Sequence, residues 1–248
     1  MDGSFGAHDS TQKKRPKISV TIENTLRLAV FDVDGTLIDS QNSIVGAAAD
    51  AWRANGKTPL DRETVLSVVG LPLLECIVRL APEEPPERHE ALRDSYVEAW
   101  TRKRESGDLE EPMYPGALET LDELENAGWL LGISTGKSRR GLNSVLKTHP
   151  LDGRFVTYQT SDVSRGKPHP DMLLSAMDET GADKSATAMI GDTTFDILMA
   201  RNAGTYAVGV DWGYHPTDEL WAAGAHAVIS DFGDLPETLD ALVRGEKP

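Results

Sequence analysis

Two carboxylates, Asp32 and Asp34, follow directly on an apolar run in the stretch RLAVFDVDGTLIDS, which spans residues 27–40. Gly35 and Thr36 come next. An acid in a solvated loop is tolerated easily, but an unpaired charge at the end of a buried strand costs several kcal/mol or forces a pKa shift. We therefore expect a cation or a reaction centre at this strand end.

Polar side chains also follow other predicted strands. In a doubly wound sheet, ligands bind outside the carboxyl ends of the strands, near the point where strand order reverses. We expect this edge to bring the first two acids together with residues from three later segments, namely Thr135, Gly136, Lys137, Lys167, Asp192 and Asp196.

Acids from distant parts of the chain at one sheet edge indicate a hard divalent cation. Mg²⁺ takes oxygen ligands and commonly uses one or two carboxylates, here Asp32 and Asp192, together with a substrate phosphate. A carboxylate with a free oxygen can act as a nucleophile and form an aspartyl-phosphate. A second carboxylate two residues later can protonate a leaving group and then activate water. Lys167 and the metal would supply positive charge, and Thr135 could donate a hydrogen bond to a phosphate oxygen.

Short apolar segments predict the strands of a buried parallel sheet, because they lack the polar alternation of half-exposed strands. Helical patterns separate the later strands, and this alternation predicts an α/β fold with a doubly wound, Rossmann-like sheet. The predicted strands are residues 26–32, 129–135, 155–160, 187–192 and 205–211, with a sixth at 225–231.

About a hundred residues separate the first two strands, too many for a single crossover. Residues 41–112 show mainly helical patterns, and we predict that they form an inserted α-helical cap domain. Residues 26–40 and 113–248 then form the catalytic core, and residues 1–25 a flexible tail. The polar stretches near 40–43 and 111–114 are the predicted hinges between cap and core.

Composition excludes several classes of protein. The net charge of −15 over 248 residues disfavours a nucleic-acid partner. No apolar run approaches the length of roughly 18 residues that spans a bilayer, so we expect no membrane partner. Cys76 is the only cysteine, which rules out a disulfide framework and indicates the cytoplasm. Whether the protein is a monomer or a homodimer stays open.

Four segments carry a family resemblance. FDVDGTL, ISTGKS, GKPHPDM and GDTTFDILMARNAG, in this order, resemble the four motifs of the haloacid dehalogenase superfamily. A helical insertion between the first two motifs is similar to the phosphoglycolate phosphatase-like branch. The resemblance runs from about residue 28 to about residue 231.

The resemblance implies a Mg²⁺-dependent phosphatase that acts on a small phosphorylated metabolite. Asp32 would be the nucleophile and Asp34 the general acid and base, while Thr135 and Lys167 would hold the transferring phosphoryl group. The implied metal ligands are the Asp32 carboxylate, the Asp34 main-chain carbonyl and Asp192. The implied supporting residues are Asp196, beside Lys167 or a metal-bound water, and Gly35, Thr36 and Gly136.

The segment VVGLPLLE, residues 68–75, resembles the cap loop that meets the substrate in this branch. Gly70, Leu71 and Pro72 would contact the substrate from the cap, and Lys137 would face the phosphate from the core. A plain turn between two helices explains this segment about as well. The Lys167–Pro168 bond is a candidate for the cis form, which only X–Pro bonds adopt at modest cost.

Other functions remain open. The same core could serve a phosphomutase or an inorganic pyrophosphatase, whereas Asp34 argues against a haloacid dehalogenase, which needs no acid at that position. A catalytically inactive module that binds a phosphate ligand is a further alternative. The histidines at 149, 169 and 215 show no spacing typical of metal ligands, and we expect them to be structural or exposed.

Overall fold

The computed structural model describes Met1 and residues 25–246. The predicted tail, residues 1–25, therefore lies almost entirely outside the described residues. No described helix combines the length and the apolar character that a membrane crossing requires.

Within residues 25–246, six strands form one parallel sheet in the order β3-β2-β1-β4-β5-β6. This order confirms the predicted doubly wound fold, and it reverses direction between β1 and β4. The crevice beyond the carboxyl ends of those two strands is therefore the expected ligand site. The strands are β1 (Arg27–Phe31), β2 (Trp129–Thr135), β3 (Thr157–Thr160), β4 (Thr187–Gly191), β5 (Tyr206–Val210) and β6 (Ala227–Ile229).

Both faces of the sheet are buried. Along β1, Ala29 and Phe31 pack into one hydrophobic cluster, and Leu28 and Val30 pack into the cluster on the opposite face. Because neither face meets water, the strands are continuously apolar in sequence. The covering helices are α5 (Ala117–Asn126), α6 (Arg139–Thr148), α7 (Asp171–Thr180), α8 (Thr194–Ala203), α9 (Thr217–Ala222) and α10 (Leu235–Val243).

Four helices lie between β1 and α5. They are α1 (Gln41–Ala54), α2 (Arg62–Leu66), α3 (Leu73–Leu80) and α4 (Pro86–Ser106). We call residues 41–106 the helical insertion. It has its own apolar cluster around Trp52, Ile77 and Leu92. That these helices form a separate domain remains a prediction.

Three details differ from the sequence-based expectations. Strand β3 begins at Thr157 rather than residue 155, and β6 is shorter than predicted. Helices α9 and α10 had no counterpart among the predicted elements. Each has a proline near its start, at Pro216 and Pro236, which favours an N-terminal helix position as readily as a loop.

Candidate active site

The site begins where β1 and β4 end side by side. The Asp32 N–H donates to the Ile190 carbonyl oxygen (2.9 Å), which continues the β1–β4 ladder to the first acid. Asp192 directly follows β4. Gly35 has φ +81°, and a Cβ on it would lie 2.2 Å from Asp192 Oδ2. Glycine is required here because the turn both adopts a left-handed conformation and contacts the second acid.

Lys167 lies between two carboxylates. Its Nζ is 2.8 Å from Asp32 Oδ2 and 2.6 Å from Asp196 Oδ1, and all three side chains are buried. The Lys167–Pro168 bond is cis, as predicted. Through the ion pair of 2.8 Å, the lysine holds one oxygen of Asp32, Oδ2. Neither Asp32 oxygen accepts a hydrogen bond from the described residues, and Oδ1, unlike Oδ2, also lacks an ion-pair partner among them.

Asp196 has two structural roles. Its Oδ2 accepts hydrogen bonds from the Thr193 N–H (3.1 Å) and hydroxyl (2.6 Å) at the start of α8. This is the acidic half of a capping box, which satisfies an N–H that the helix leaves free. The Oδ1 atom of the same carboxylate contacts Lys167. Asp196 therefore caps α8 with one carboxylate oxygen and contacts Lys167 with the other.

Asp192 is held by residues from two loops. Its Oδ1 accepts from the Thr36 hydroxyl (2.9 Å), and its Oδ2 accepts from the Tyr214 N–H (2.9 Å). Thr36 was a predicted supporting residue. Tyr214 was not predicted, because it lies in the loop after β5 and no sequence signal connects that loop with Asp192.

Three buried carboxylates face one lysine in this cluster. Oxygen atoms of Asp32, Asp192 and Asp196 all lie within 4.8 Å of one another. Burial raises the pKa of Asp32 to about 7, with Lys167 opposing and Asp196 adding to the shift. Burial and the charges of Asp196 and Asp32 also raise the pKa of Asp192 well above its usual range. Burial lowers the pKa of Lys167, but the nearby charges of Asp196 and Asp32 together raise it by more, so the lysine stays charged.

This surplus of negative charge fits a hard divalent cation. A cation bound by Asp32 and Asp192 would offset the repulsion and give the free Asp32 oxygen a partner. The Asp34 carboxylate lies outside the group of three acids, so Asp34 could reach such a cation only through its main-chain carbonyl, as the resemblance implied. The residues present therefore suit the predicted metal.

Within the part of the chain that the structure describes, the Asp34 carboxylate has two partners, both outside the helical insertion. Its Oδ1 accepts from the Ser40 hydroxyl (2.5 Å) and lies 2.9 Å from Lys137 Nζ. The ammonium of Lys137 also lies over the Trp100 ring, 5.0 Å from its centroid. The structure thus pairs Lys137 with the predicted acid–base residue. Neither Ser40 nor Trp100 was a candidate in the sequence analysis.

The Thr135 hydroxyl is buried at the end of β2 and accepts from the Lys137 N–H (3.2 Å). Among the described residues the Thr135 hydroxyl donates to no acceptor, so its proton can be donated to a ligand. Next to it, Gly136 supports the insertion, since a Cβ there would lie 2.7 Å from the carbonyl oxygens of Gly70 and Leu71. The predicted cap loop therefore contacts the core at the second motif.

The loop around Gly70 and Pro72 reaches two more core segments. Gly70 has φ +102°, and a Cβ on it would approach the Thr193 hydroxyl oxygen to 3.1 Å. A Cβ on Gly166 would lie 2.3 Å from the ring of Pro72. Besides linking helices α2 and α3, this loop docks between the motifs that carry Asp192 and Lys167.

His215 connects the helical insertion with the start of α8. Its Nδ1 accepts from the Thr194 N–H (3.2 Å), and its Nε2 lies 3.2 Å from the Ser67 carbonyl oxygen. The ring is buried, and burial lowers its pKa, which favours the neutral ring that these partners require. The prediction that this histidine is structural or exposed is consistent with these contacts. His149 and His169 are partly exposed.

A cavity of about 380 Å³ lies between the insertion and the carboxyl edge of the sheet. It has Asp32, Asp34 and Thr135 at one end. Helices of the insertion form most of the remaining wall. A molecule bound in this cavity would lie beside both Asp32 and Asp34, because both acids line it.

Known proteins resemble this chain in sequence and in structure. A family model described as haloacid dehalogenase-like hydrolase matches residues 29–210. The chain is 36% identical over 219 residues to the probable phosphatase IndB of Dickeya dadantii (strain 3937), covering 88% of this chain and 95% of that protein. It is 33% identical over 221 residues to a phosphoglycolate phosphatase of Agrobacterium fabrum, covering 87% and 94%.

The fold also matches solved structures. A hydrolase from Pseudomonas syringae superposes with a TM-score of 0.76 at 31% identity, covering 86% of this chain and 98% of that one. The match therefore includes the helical insertion as well as the sheet.

The raised pKa of Asp32 predicts a pH-dependent stability in the metal-free protein. Between about pH 4 and about pH 7 the folded state holds a proton on Asp32 that the unfolded state releases, so stability falls as pH rises. The free energy of unfolding of the wild type minus that of Asp32→Asn should drop by about 1 kcal/mol per pH unit in this window. Urea unfolding in chelator measures it. Asp152→Asn, a change at an exposed position, is the control and should change the free energy of unfolding little. If the difference between the wild type and Asp32→Asn does not change with pH, the raised pKa of Asp32 is contradicted.

Because Gly136 packs closely against the insertion, adding a methyl group at this position should disturb the loop around Gly70. Gly136→Ala should displace the loop around Gly70, because the new Cβ overlaps two carbonyl oxygens. Hydrogen exchange of a peptide covering 66–76 should accelerate, and the free energy of unfolding should fall by about 1–3 kcal/mol. Gly141→Ala, whose Cβ would meet only ordinary contacts, is the matched control. Unchanged exchange in Gly136→Ala would show that the loop does not depend on this contact.

Proposed function

The chain belongs to the haloacid dehalogenase-like hydrolase family, as its four motifs predict, and on this premise we propose that it is a Mg²⁺-dependent phosphatase. Its substrate would be a small phosphate monoester, and hydrolysis would proceed through an aspartyl-phosphate at Asp32. We further propose that the enzyme acts in the cytoplasm, as a monomer or a homodimer, without a nucleic-acid or membrane partner.

One observation carries the proposal, and it is the state of the Asp32 carboxylate. The Lys167 ammonium forms an ion pair with Oδ2 at 2.8 Å, while Oδ1 has neither an ion-pair nor a hydrogen-bond partner among the described residues, and the side chain lines the cavity. A nucleophile needs this combination of a fixed orientation and one free oxygen. A carboxylate with a purely structural role would have both oxygens satisfied by hydrogen bonds.

In the first half-reaction, an Asp32 oxygen attacks phosphorus and the bond from phosphorus to the ester oxygen breaks. A proton from the Asp34 carboxyl group goes to the departing oxygen, so the alcohol leaves neutral. The Thr135 hydroxyl donates to a phosphoryl oxygen, and the Lys167 ammonium offsets the charge that develops there. The product is phosphate covalently bound to Asp32.

In the second half-reaction, Asp34 is a carboxylate and takes a proton from a water molecule. That water attacks phosphorus, the bond to Asp32 breaks, and inorganic phosphate forms with the Asp32 carboxylate restored. Ser40 and Lys137 both contact Oδ1 of Asp34 and so hold the carboxylate towards the cavity. The insertion covers this step and limits the access of other water molecules.

When bound, Mg²⁺ would supply electrophilic polarisation of the phosphoryl group and offset its charge. Asp32, Asp192 and the Asp34 main-chain carbonyl would hold it. Thr36 and the Tyr214 N–H orient Asp192 for this role. A net charge of −15 would otherwise repel an anionic substrate.

The alternatives share most of this site. A haloacid dehalogenase would not need Asp34 oriented towards the cavity, so this contact favours phosphoryl transfer. A phosphomutase or an inorganic pyrophosphatase would use the same Asp32 and Asp34. A binding module without activity would not require a free nucleophilic oxygen beside an acid, and for that reason the hydrolase is preferred.

The first experiment tests the metal. Saturation with Mg²⁺ at about 100 times its Kd should raise the free energy of unfolding by about 2.7 kcal/mol. Asp192→Asn should lose this increment, because it removes one ligand, while Asp152→Asn should keep it. Activity should disappear in excess chelator and return with Mg²⁺. Full activity in chelator, or an unchanged increment in Asp192→Asn, would refute the metal site.

The second experiment separates the two acids of the first motif. With an activated aryl phosphate, whose leaving group hardly needs a proton, Asp34→Asn should form the phosphoryl-enzyme but hydrolyse it about 10²–10⁴-fold more slowly. It should therefore release close to one equivalent of alcohol in a burst and accumulate phosphate on Asp32. Asp32→Asn should give neither burst nor adduct.

Mass spectrometry of the quenched enzyme locates the phosphate. Wild-type enzyme quenched in the same way is the control, and it should carry less adduct because its second step is faster. Phosphate on a serine or histidine, or undiminished turnover in Asp32→Asn, would overturn the assignment of the nucleophile.

A further inference from the structure

The cavity continues well beyond the space that a phosphoryl group at Asp32 would occupy. Past Asp34 its wall is mainly apolar and comes from the helical insertion. Side chains that line this part include Ile44, Trp52, Val65, Ile77, Tyr96 and Trp100. A volume of about 380 Å³ lies in the range of cavities that enclose organic ligands of appreciable size.

Two aromatic rings on α4 form the part of this wall near the proposed acid. Tyr96 and Trp100 are stacked, with centroids 5.9 Å apart and an angle of 28° between their planes. Trp100 lies beside Lys137, whose ammonium is 5.0 Å from the ring centroid and 2.9 Å from Asp34 Oδ1. A single side chain, that of Lys137, therefore separates Trp100 from Asp34, the residue that would protonate the leaving oxygen.

The charges of the cavity wall fit an ester of phosphate. Apart from Asp32 and Asp34, its described lining residues include no acid. Arg104 on α4 and Arg140 on α6 both line it, and neither forms an ion pair with a residue that the structure describes. These cations favour the entry of an anionic substrate into an otherwise acidic protein.

We propose that Tyr96 and Trp100 form a subsite for the leaving group, and that the preferred substrates are phosphate monoesters of ring-bearing alcohols. The ring packs against the two aromatic side chains while the ester oxygen faces Asp34. The proposal rests on the phosphatase function proposed above and specifies its substrate class.

The apolar wall also disfavours the smallest candidate substrates. A pyrophosphate or a short carboxylate-bearing ester could pair its second charged group with Arg104, Arg140 or Lys137, but it would leave the apolar part of the wall around Tyr96 and Trp100 unfilled. A ring instead removes its own apolar surface and that of the wall from water. Aromatic pairs in offset or tilted contact add further attraction.

A matched pair of esters tests the proposal. Ethyl phosphate and 2-phenylethyl phosphate are both esters of primary alcohols, so they differ mainly in the ring and little in the reactivity of the leaving group. With wild-type enzyme and Mg²⁺, kcat/KM should be about tenfold or more higher for the ester that carries the ring. The ester that carries the ring should also bind more tightly to Asp32→Asn, measured by calorimetry, where no turnover interferes.

Variants of the wall locate the effect. Trp100→Ala and Tyr96→Ala should each reduce the ratio of the two kcat/KM values, with Trp100→Ala bringing it near one. Tyr96→Phe keeps the ring and should keep the ratio. Trp221→Ala changes a half-exposed tryptophan on α9 that does not line the cavity, and it should leave the ratio unchanged.

The outcomes separate this inference from the proposed function. A wild-type ratio near or below one, or a Trp100→Ala variant that weakens both esters equally, would overturn the aromatic subsite while leaving the phosphatase intact. If the wild type releases no phosphate from either ester, the proposed function fails for these substrates. Binding to Asp32→Asn then decides the subsite alone: preference for the ring supports it, and equal or absent binding overturns it.

Discussion

A surplus of buried negative charge is the constraint on which the rest of the site depends. Three carboxylates meet around the single ammonium of Lys167, and burial raises the pKa of both Asp32 and Asp192. Such a cluster persists only when other interactions hold it, because each unpaired buried charge is costly. The capping box of α8, the Thr36 hydroxyl and the Tyr214 N–H perform this task. The proposed cation would reduce this repulsion further, and its binding would then couple folding stability to the cofactor.

The strand order explains why these groups meet. The sheet reverses direction between β1 and β4, so the chain leaves a crevice there that no crossover connection fills. Asp32 and Asp192 lie at the ends of these two strands, with carboxylate oxygens within 4.8 Å of each other, and the turn at Gly35 packs against Asp192. Helices cover both faces of this sheet, and a site built on packed strands holds its side chains more precisely than a site on loops.

The helical insertion covers the carboxyl edge of the sheet and forms the other side of the cavity. Its loop at Gly70 docks on three core segments, and His215 connects its backbone with the start of α8. The core thus supplies the reacting groups, whereas the insertion supplies the apolar and aromatic wall of the cavity. This division explains how one set of motifs can serve different leaving groups, since the wall can change without a change at the sheet edge.

The sequence by itself determined the family, the parallel sheet, and the residues of the four motifs, because these depend on local periodicity and on short patterns that a single segment carries. It also indicated the cis bond before Pro168 and the loop at Gly70. Only the tertiary structure decided that Lys137 contacts Asp34, that Tyr214 holds Asp192, and that Tyr96 and Trp100 border the cavity. These contacts join residues that lie tens of residues apart or more. No local pattern encodes such a pair, since the partner is chosen by how the helices and loops pack around the sheet.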